Sequence, residues 1–217
     1  MKNAKLQKKS ISEVVEVLNS GGVALFPTDT VYGLIADATN EKAVEKIFKI
    51  KKRLRSKPLA VFVKDIEMAK ELVEIDERQE KILTLRLRSG QAKYWPGKYT
   101  FILKSKVKSQ KSKVQVKNKK IAKNLSELVI GKNNTIGLRI PKYKFLNNLL
   151  KKINKPLAQT SANISGKPAS TKIEEVLKQF ENRKTTPDAT LLVINLPKRK
   201  PSTIIDLTSG NIKIIRK

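Results

Sequence analysis

Short apolar runs alternate with helically spaced segments along almost the whole chain, and this alternation narrows the possible folds more than any other feature. LAVFV, residues 59–63, is apolar at every position and as long as a strand, so it reads as a strand buried on both faces. Further strands are expected over 22–26, 99–103, 135–140, 156–160, 190–194, 202–207 and 212–215. Between them lie segments of helical period. Ile11, Val14, Val15 and Leu18 follow Ser10, with Glu13 completing a capping box and Gly21-Gly22 as the stop. Asn40 caps a helix carrying Ala43, Val44, Ile47 and Phe48 on one face, and Asp65 starts another through Ile66, Ala69, Leu72 and Val73. Helices are also expected near 144–153 and, behind a Thr171/Glu174 capping box, near 172–181. Interleaving of this kind predicts an α/β domain built on a mixed sheet. Two segments resist assignment: 84–92 reads as a helix extension or a loop, and 104–124 is too poor in apolar residues for a core element and reads as a mobile basic loop.

The 217 residues suffice for one large domain with a real core, and 1–217 is read as a single unit. No apolar run approaches the roughly 20 residues of a membrane span, and the N-terminal MKNAKLQKKS lacks a secretion signal's apolar stretch, so a soluble, cytoplasmic protein is expected. There is no cysteine and no histidine, which removes disulfides, thiolate metal sites and the commonest general base. Chemistry here must run on Lys, Arg, Ser, Thr, Tyr, Asp and Glu. The net charge of +28 is concentrated, because residues 81–173 carry 23 Lys/Arg against the single acid Glu127. Such a field gathers anions, including nucleotides, carboxylates and RNA, while many of the lysines taken singly are a solvated face.

Five motifs carry candidate chemistry. FPTDTVYGL, residues 26–34, sets two threonines, an aspartate and a tyrosine after a buried run. It fits either a ligand site at a strand end or a turn whose hydroxyls satisfy their own backbone. In 49–59, Arg53, Arg55 and Lys57 continue a basic cluster beyond the helix end that Lys51 and Lys52 would terminate, which favours an anion site. TIGLRIP, residues 135–141, places Arg139 inside an apolar strand, where it must meet a carboxylate from the protein, such as Asp206, or from a ligand. QTSANISGKPAS, residues 159–170, is a hydroxyl-rich turn open to close phosphate approach. PSTIIDL, residues 201–207, puts Ser202 and Thr203 at a strand start, and Arg216 lies near the chain end.

In this order PTDTVYGL, KKRLRSKPL, WPGKYT, TIGLRIP, SANISG and PSTIIDL resemble the YrdC family of threonylcarbamoyl-AMP synthases, over about residues 14–216. The resemblance implies a twisted open α/β sheet with flanking helices and a deep, positively lined cavity. It also implies a nucleotidyltransferase that converts L-threonine, bicarbonate and ATP into threonylcarbamoyl-adenylate and pyrophosphate, for threonylcarbamoylation of tRNA position 37. Residue by residue, Thr30, Arg139 and Ser202 match threonine-binding positions, and Arg53, Lys57, Thr135, Ser161 and Arg216 match ATP-binding positions. Lys51 and Arg53 form the family's Lys-x-Arg motif and are the candidate catalytic pair near the phosphates. Tyr32, Asn163 and Ser165 are expected to line the same pocket. Mg²⁺ is expected on the triphosphate, with no structural metal in the protein. Expected partners are tRNA, through the basic segment 81–173, and proteins of the threonylcarbamoylation pathway, without a membrane.

The sequence departs from the family pattern at Leu54, where a proline is usual, at Phe62, where a histidine is common, and at Ala169, beside Ser170. The chain ends just after Arg216 and so resembles the family's short form, with closure over the intermediate supplied elsewhere, for instance by the basic loop. Two other readings stand beside the synthase: an RNA-binding relative with little catalysis, and a paralogue that uses another amino acid.

Overall fold

The computed structural model describes residues 10–84, 94–107, 124–191, 196–209 and 212–217. Among these, the strands are β1 (Ala24–Phe26), β2 (Gly33–Asp37), β3 (Ala60–Phe62), β4 (Tyr99–Lys104), β5 (Thr135–Arg139), β6 (Leu157–Ser161), β7 (Ala189–Thr190), β8 (Thr203–Asp206) and β9 (Lys213–Arg216). They form one sheet in the order β7-β1-β2-β6-β3-β5-β4-β8-β9. The β7–β1, β3–β5 and β4–β8 pairs are parallel and the others antiparallel, which makes the sheet mixed, as the interleaved pattern predicts. The helices are α1 (Ile11–Asn19), α2 (Glu41–Lys51), α3 (Ile66–Leu72), α4 (Glu77–Thr84), α5 (Lys144–Ile153) and α6 (Ile173–Phe180).

Alternation along the strands sorts the core into two layers. Leu25, Leu34, Ala36, Val61, Val63 and Ala158 pack on one side of the sheet with the apolar faces of α2, α3 and α6. Ala24, Phe26, Ile35, Phe62 and Leu157 pack on the other with α1 and α5. The first layer continues across Phe101, Leu103, Ile136, Leu138 and Ile205, whereas the second takes no residue from β4, β5 or β8. Helices therefore cover the second face only over β1, β2, β6 and β3. Beyond them that face carries Thr100, Gly137, Arg139 and Ile204, among the described residues.

Local signals act largely as their chemistry dictates. Ser10 accepts from the Glu13 N–H and Glu13 accepts from the Ser10 N–H, closing the capping box of α1. Asn40 and Asp65 cap α2 and α3 through the Ala43 and Met68 N–H groups. The Thr171/Glu174 capping box does not form. Lys172 is the N-cap of α6 and makes no side-chain cap, and Ser170 does the local work by accepting from the Lys172 N–H at 3.0 Å and donating to Glu175 at 2.6 Å. β2 is absent from the sequence reading. GLIAD pairs antiparallel with β1 in register Phe26↔Gly33, so the opening motif is the loop of a hairpin and not simply the mouth of one strand. Thr84 ends α4, and 85–93 lies outside the described residues. Of the expected basic loop, Lys104 belongs to β4, Ser105 bridges to Val73 and Val107 is buried, while 108–123 is outside the described residues.

Candidate functional site

A cavity of about 160 Å³ opens on the face that α1 and α5 leave uncovered. Its floor is made of small residues that point to this side of the sheet. Gly33 of β2 and Ala60 of β3 line it, and a Cβ on neighbouring Gly137 would touch Thr100 and Ala60 at 3.5 and 3.6 Å. Its walls are Thr30 from the β1–β2 loop, Arg53 from the connection after α2, Arg139 at the end of β5, Ser161 at the end of β6, Ser202 before β8 and Arg216 of β9. Loops and strand ends from six separate stretches of the chain thus converge on one hollow.

The hairpin loop explains both readings of the opening motif. Thr28 is turned inward: its hydroxyl donates to the Val31 carbonyl at 2.7 Å and accepts from the Thr30 N–H at 3.1 Å, a self-satisfied turn. Thr30 then donates its hydroxyl to Thr28 and accepts from Arg139 Nη1 at 3.3 Å on the cavity wall. Asp29 is the missing carboxylate. Its Oδ1 accepts from Arg139 Nη2 at 2.5 Å and its Oδ2 from the Lys142 N–H at 3.2 Å. Arg139 also donates Nε–H to the Gly97 carbonyl at 3.0 Å and stands 5.6 Å over the Phe62 ring. Asp206, the protein partner considered from sequence, instead accepts from the Thr208 N–H and hydroxyl. Phe62 thus lies under the arginine and offers it a ring face.

Three guanidiniums line this cavity and no carboxylate does among the described residues; Asp29 pairs with Arg139 from outside the lining. Burial disfavours the charge on Arg53, with Arg216 adding repulsion; burial also acts on Arg216. For Arg139, burial is opposed by the charge and hydrogen bond of Asp29, and Arg216 again repels. Arginine keeps its proton in such surroundings, so the balance appears as unneutralised positive potential inside the cavity. Each fork is held by backbone: Arg53 donates to the Lys57 and Pro58 carbonyls at 2.8 and 3.1 Å, and Arg216 to the Ser202 carbonyl at 2.7 and 3.1 Å. Pre-positioned cations of this kind suit a flexible polyanion.

Of the other expected site residues Tyr32 lines the cavity, while Lys51, Lys57, Thr135, Asn163 and Ser165 sit around it. Lys51 is 2% exposed, and its ammonium donates to the Ser161 carbonyl, the Asn163 carbonyl and Asn163 Oδ1 at 2.7, 2.8 and 2.9 Å. Burial, then Arg53, push its pKa down to about 7, while the three acceptors favour the charged form. Lys51 therefore fastens the turn that presents Ser161 and does not face the hollow. Asn163 is buried in that same turn, and Ser161 donates its hydroxyl to Asn163 Oδ1 at 2.6 Å. Tyr32 is wholly buried in the wall, with its backbone N–H and carbonyl bonded to Ser170 and Ala162. Ser165 is exposed beyond the turn, and its N–H donates to the Lys51 carbonyl. Lys57 is exposed and touches the site through its carbonyl on Arg53. Thr135, at the far end of β5, donates to the Lys132 carbonyl beside Pro58, one of the lining residues.

The sequence reading omitted Asp29, Pro58, Gly97 and Gln159. Asp29 carried the clearest signal, being the only acid between Glu16 and Asp37. Metal ligation finds little here: among the described residues no group of three or more His, Cys, Asp or Glu is placed to hold a metal ion. A Mg²⁺ ion would find no carboxylate pair in the cavity, because both Asp29 oxygens are engaged.

Residues 16–217 match the Sua5/yciO/yrdC family, described as "Telomere recombination". Among solved structures the chain is similar to P. abyssi Sua5 complexed with L-threonine, at 27% identity and a TM-score of 0.77, covering 95% of this chain and 53% of that one. It is also similar to E. coli YciO, at 25% identity and a TM-score of 0.72, covering 97% and 90%. A third similar structure is MTH1692 of Methanobacterium thermoautotrophicum, at 26% identity and a TM-score of 0.64, covering 100% and 90%. The chain thus spans about half the length of the Sua5 structures it matches. With a family match across nearly all of its length and the same open mixed sheet, the chain belongs to the Sua5/YciO/YrdC family.

Proposed function

We propose that the cavity binds ATP beside L-threonine and makes threonylcarbamoyl-adenylate, with bicarbonate as the third substrate and pyrophosphate as the leaving group. The observation that carries this reading is the meeting of Arg53, Arg139 and Arg216 with the Thr30, Ser161 and Ser202 hydroxyls in a hollow that no acidic residue lines among the described residues. The similar Sua5 structure that contains L-threonine supports the choice of amino acid. In the proposal Thr30, Arg139 and Ser202 hold threonine, whose carboxylate takes N–H donors that Arg139 has left after binding Asp29, Thr30 and Gly97. Arg53, Ser161 and Arg216 hold the triphosphate, with Lys57 and Thr135 at its outer end.

The chemistry asks little of acid–base groups. The threonine amine adds to the carbon of bicarbonate and water leaves, giving a carbamate. A carbamate oxygen then attacks the α-phosphorus as the bond to pyrophosphate breaks. Alignment and neutralisation of phosphate oxygens dominate such a displacement, so Arg53 is the proposed catalytic cation and Lys51 the residue that positions Ser161. No step depends on a protein-bound metal. Pathway proteins and tRNA would receive the product.

Pyrophosphate release by the purified protein tests the reading. Release from ATP that requires both threonine and bicarbonate is expected. Release with serine as readily as with threonine would favour the paralogue, and no release together with salt-sensitive tRNA binding would favour the RNA-binding relative.

A further inference from the structure

A second and larger hollow, about 450 Å³, lies across Thr30 and Pro201 from the first, and these two residues line both. Loops from different parts of the sheet build it: Asp29–Thr30 between β1 and β2, Gly97–Lys98 before β4, Lys142 after β5 and 199–203 leading into β8, with Lys217 closing one side. Lys98, Lys142, Arg199, Lys200 and Lys217 make half of its ten lining residues. Its one carboxylate, Asp29, is already neutralised by Arg139 and the Lys142 N–H. Arg199 is pinned by donating Nη1–H to the Asp29 carbonyl at 2.9 Å, which sets its guanidinium in the wall. The four lysines make no ion pair among the described residues.

Such a concave, unneutralised cluster focuses a positive field that a single carboxylate or orthophosphate would only partly compensate. Its volume falls within the usual range for small-molecule sites, and its five cations come from four separate places in the chain, which suits a short chain of charges better than a point charge. We propose that this second hollow is a separate binding site for an oligophosphate, either the phosphate chain of a nucleotide or the free anion. The second site stands on its own residues; the expected count of two sites rests also on the proposed function of the first cavity, and the Lys98→Ala/Lys200→Ala and Arg53→Ala variants tell the two apart.

Calorimetric titration of the whole chain with inorganic triphosphate tests it, using three variants. Lys98 and Lys200 are exposed side chains outside the core, so Lys98→Ala/Lys200→Ala leaves the fold intact. Two sites are expected in the unmodified protein. Lys98→Ala/Lys200→Ala should weaken one of them at least tenfold, Arg53→Ala should weaken the other, and an exposed control, Lys178→Ala/Lys184→Ala, should change neither. Repeating the titration with ATP and with adenosine separates the two sources: competition by ATP and none by adenosine identifies the phosphate chain as the recognised group. A single site abolished by Arg53→Ala alone would overturn the proposal. So would weakening that is equal in the control variant, which marks nonspecific charge, and so would binding by adenosine at the second site.

Discussion

Arg139 is where residue-level physics is most exposed. It is 2% accessible, and among the described residues its one acidic partner is Asp29, 110 positions away in sequence. Removing one member of a buried ion pair leaves an uncompensated charge, so Asp29→Ala should lower unfolding stability by about 3–5 kcal/mol in a denaturant titration. Arg139→Ala should raise the threonine concentration needed for half-maximal turnover at least tenfold; an unchanged requirement would contradict its assigned contact. Lys51 makes a pH-dependent prediction. Its amine titrates near 7 in the fold and near ~10.4 when unfolded, so between these values the unfolded chain holds a proton that the native one lacks. Stability attributable to Lys51 therefore rises with pH from about 7 to about 10, by at most ~1.4 kcal/mol per unit, and is flat below 7. Chemical melts of Lys51→Met across that range should lack this rise. The sequence marked Arg139 as a charge in an apolar strand, yet its partner depended on how the β1–β2 loop meets the end of β5, which no local pattern encodes. For a related reason the fastening role of Lys51 was not legible: a lysine beside two arginines looks like a phosphate ligand, and the bonds to the Ser161–Asn163 turn come only with the approach of that distant segment.

At the scale of elements, start and stop chemistry was legible wherever it is local. Ser10, Asn40 and Asp65 each cap the helix their spacing announces. Ser10→Ala should cost about 1 kcal/mol in a thermal or denaturant melt and leave nucleotide affinity unchanged, because α1 contributes no residue to the cavity lining. The failures have physical causes. β2 escaped because Gly33 and Asp37 interrupt its apolar run at both ends, so GLIAD reads as the tail of a turn until β1 and β6 pair with it. The cap of α6 escaped because two hydroxyls, Ser170 and Thr171, precede that helix, and the one that forms the bond lies outside the standard box spacing. The candidate cavity drew its residues from loops after β1, β5 and β6 and from β8 and β9. Sequence order could group these residues only through their joint resemblance to a family.

At the scale of the molecule, the cavity exists because one face of the sheet is half covered. α1 and α5 pack over β1, β2, β6 and β3, and the small residues Gly33, Ala60 and Gly137 keep the adjoining floor low. Charge follows a similar division, since residues 1–80 are nearly balanced while 81–173 carry the surplus. Surface lysines of that segment act over a screened distance of about 8 Å at physiological salt, whereas Arg139 is buried and Arg53 half-buried, so their charge is screened less. ATP affinity should therefore fall only modestly between 50 and 300 mM salt (~tenfold or less), while any tRNA binding falls far more steeply, as paired filter-binding titrations would register. The central claim is that one hollow holds a triphosphate next to a small zwitterion. A crystal structure with a non-hydrolysable ATP analogue and L-threonine addresses it most directly. Phosphates on Arg53, Ser161 and Arg216 with the amino-acid carboxylate on Arg139 are the expected result, and either ligand seated away from these residues would contradict it.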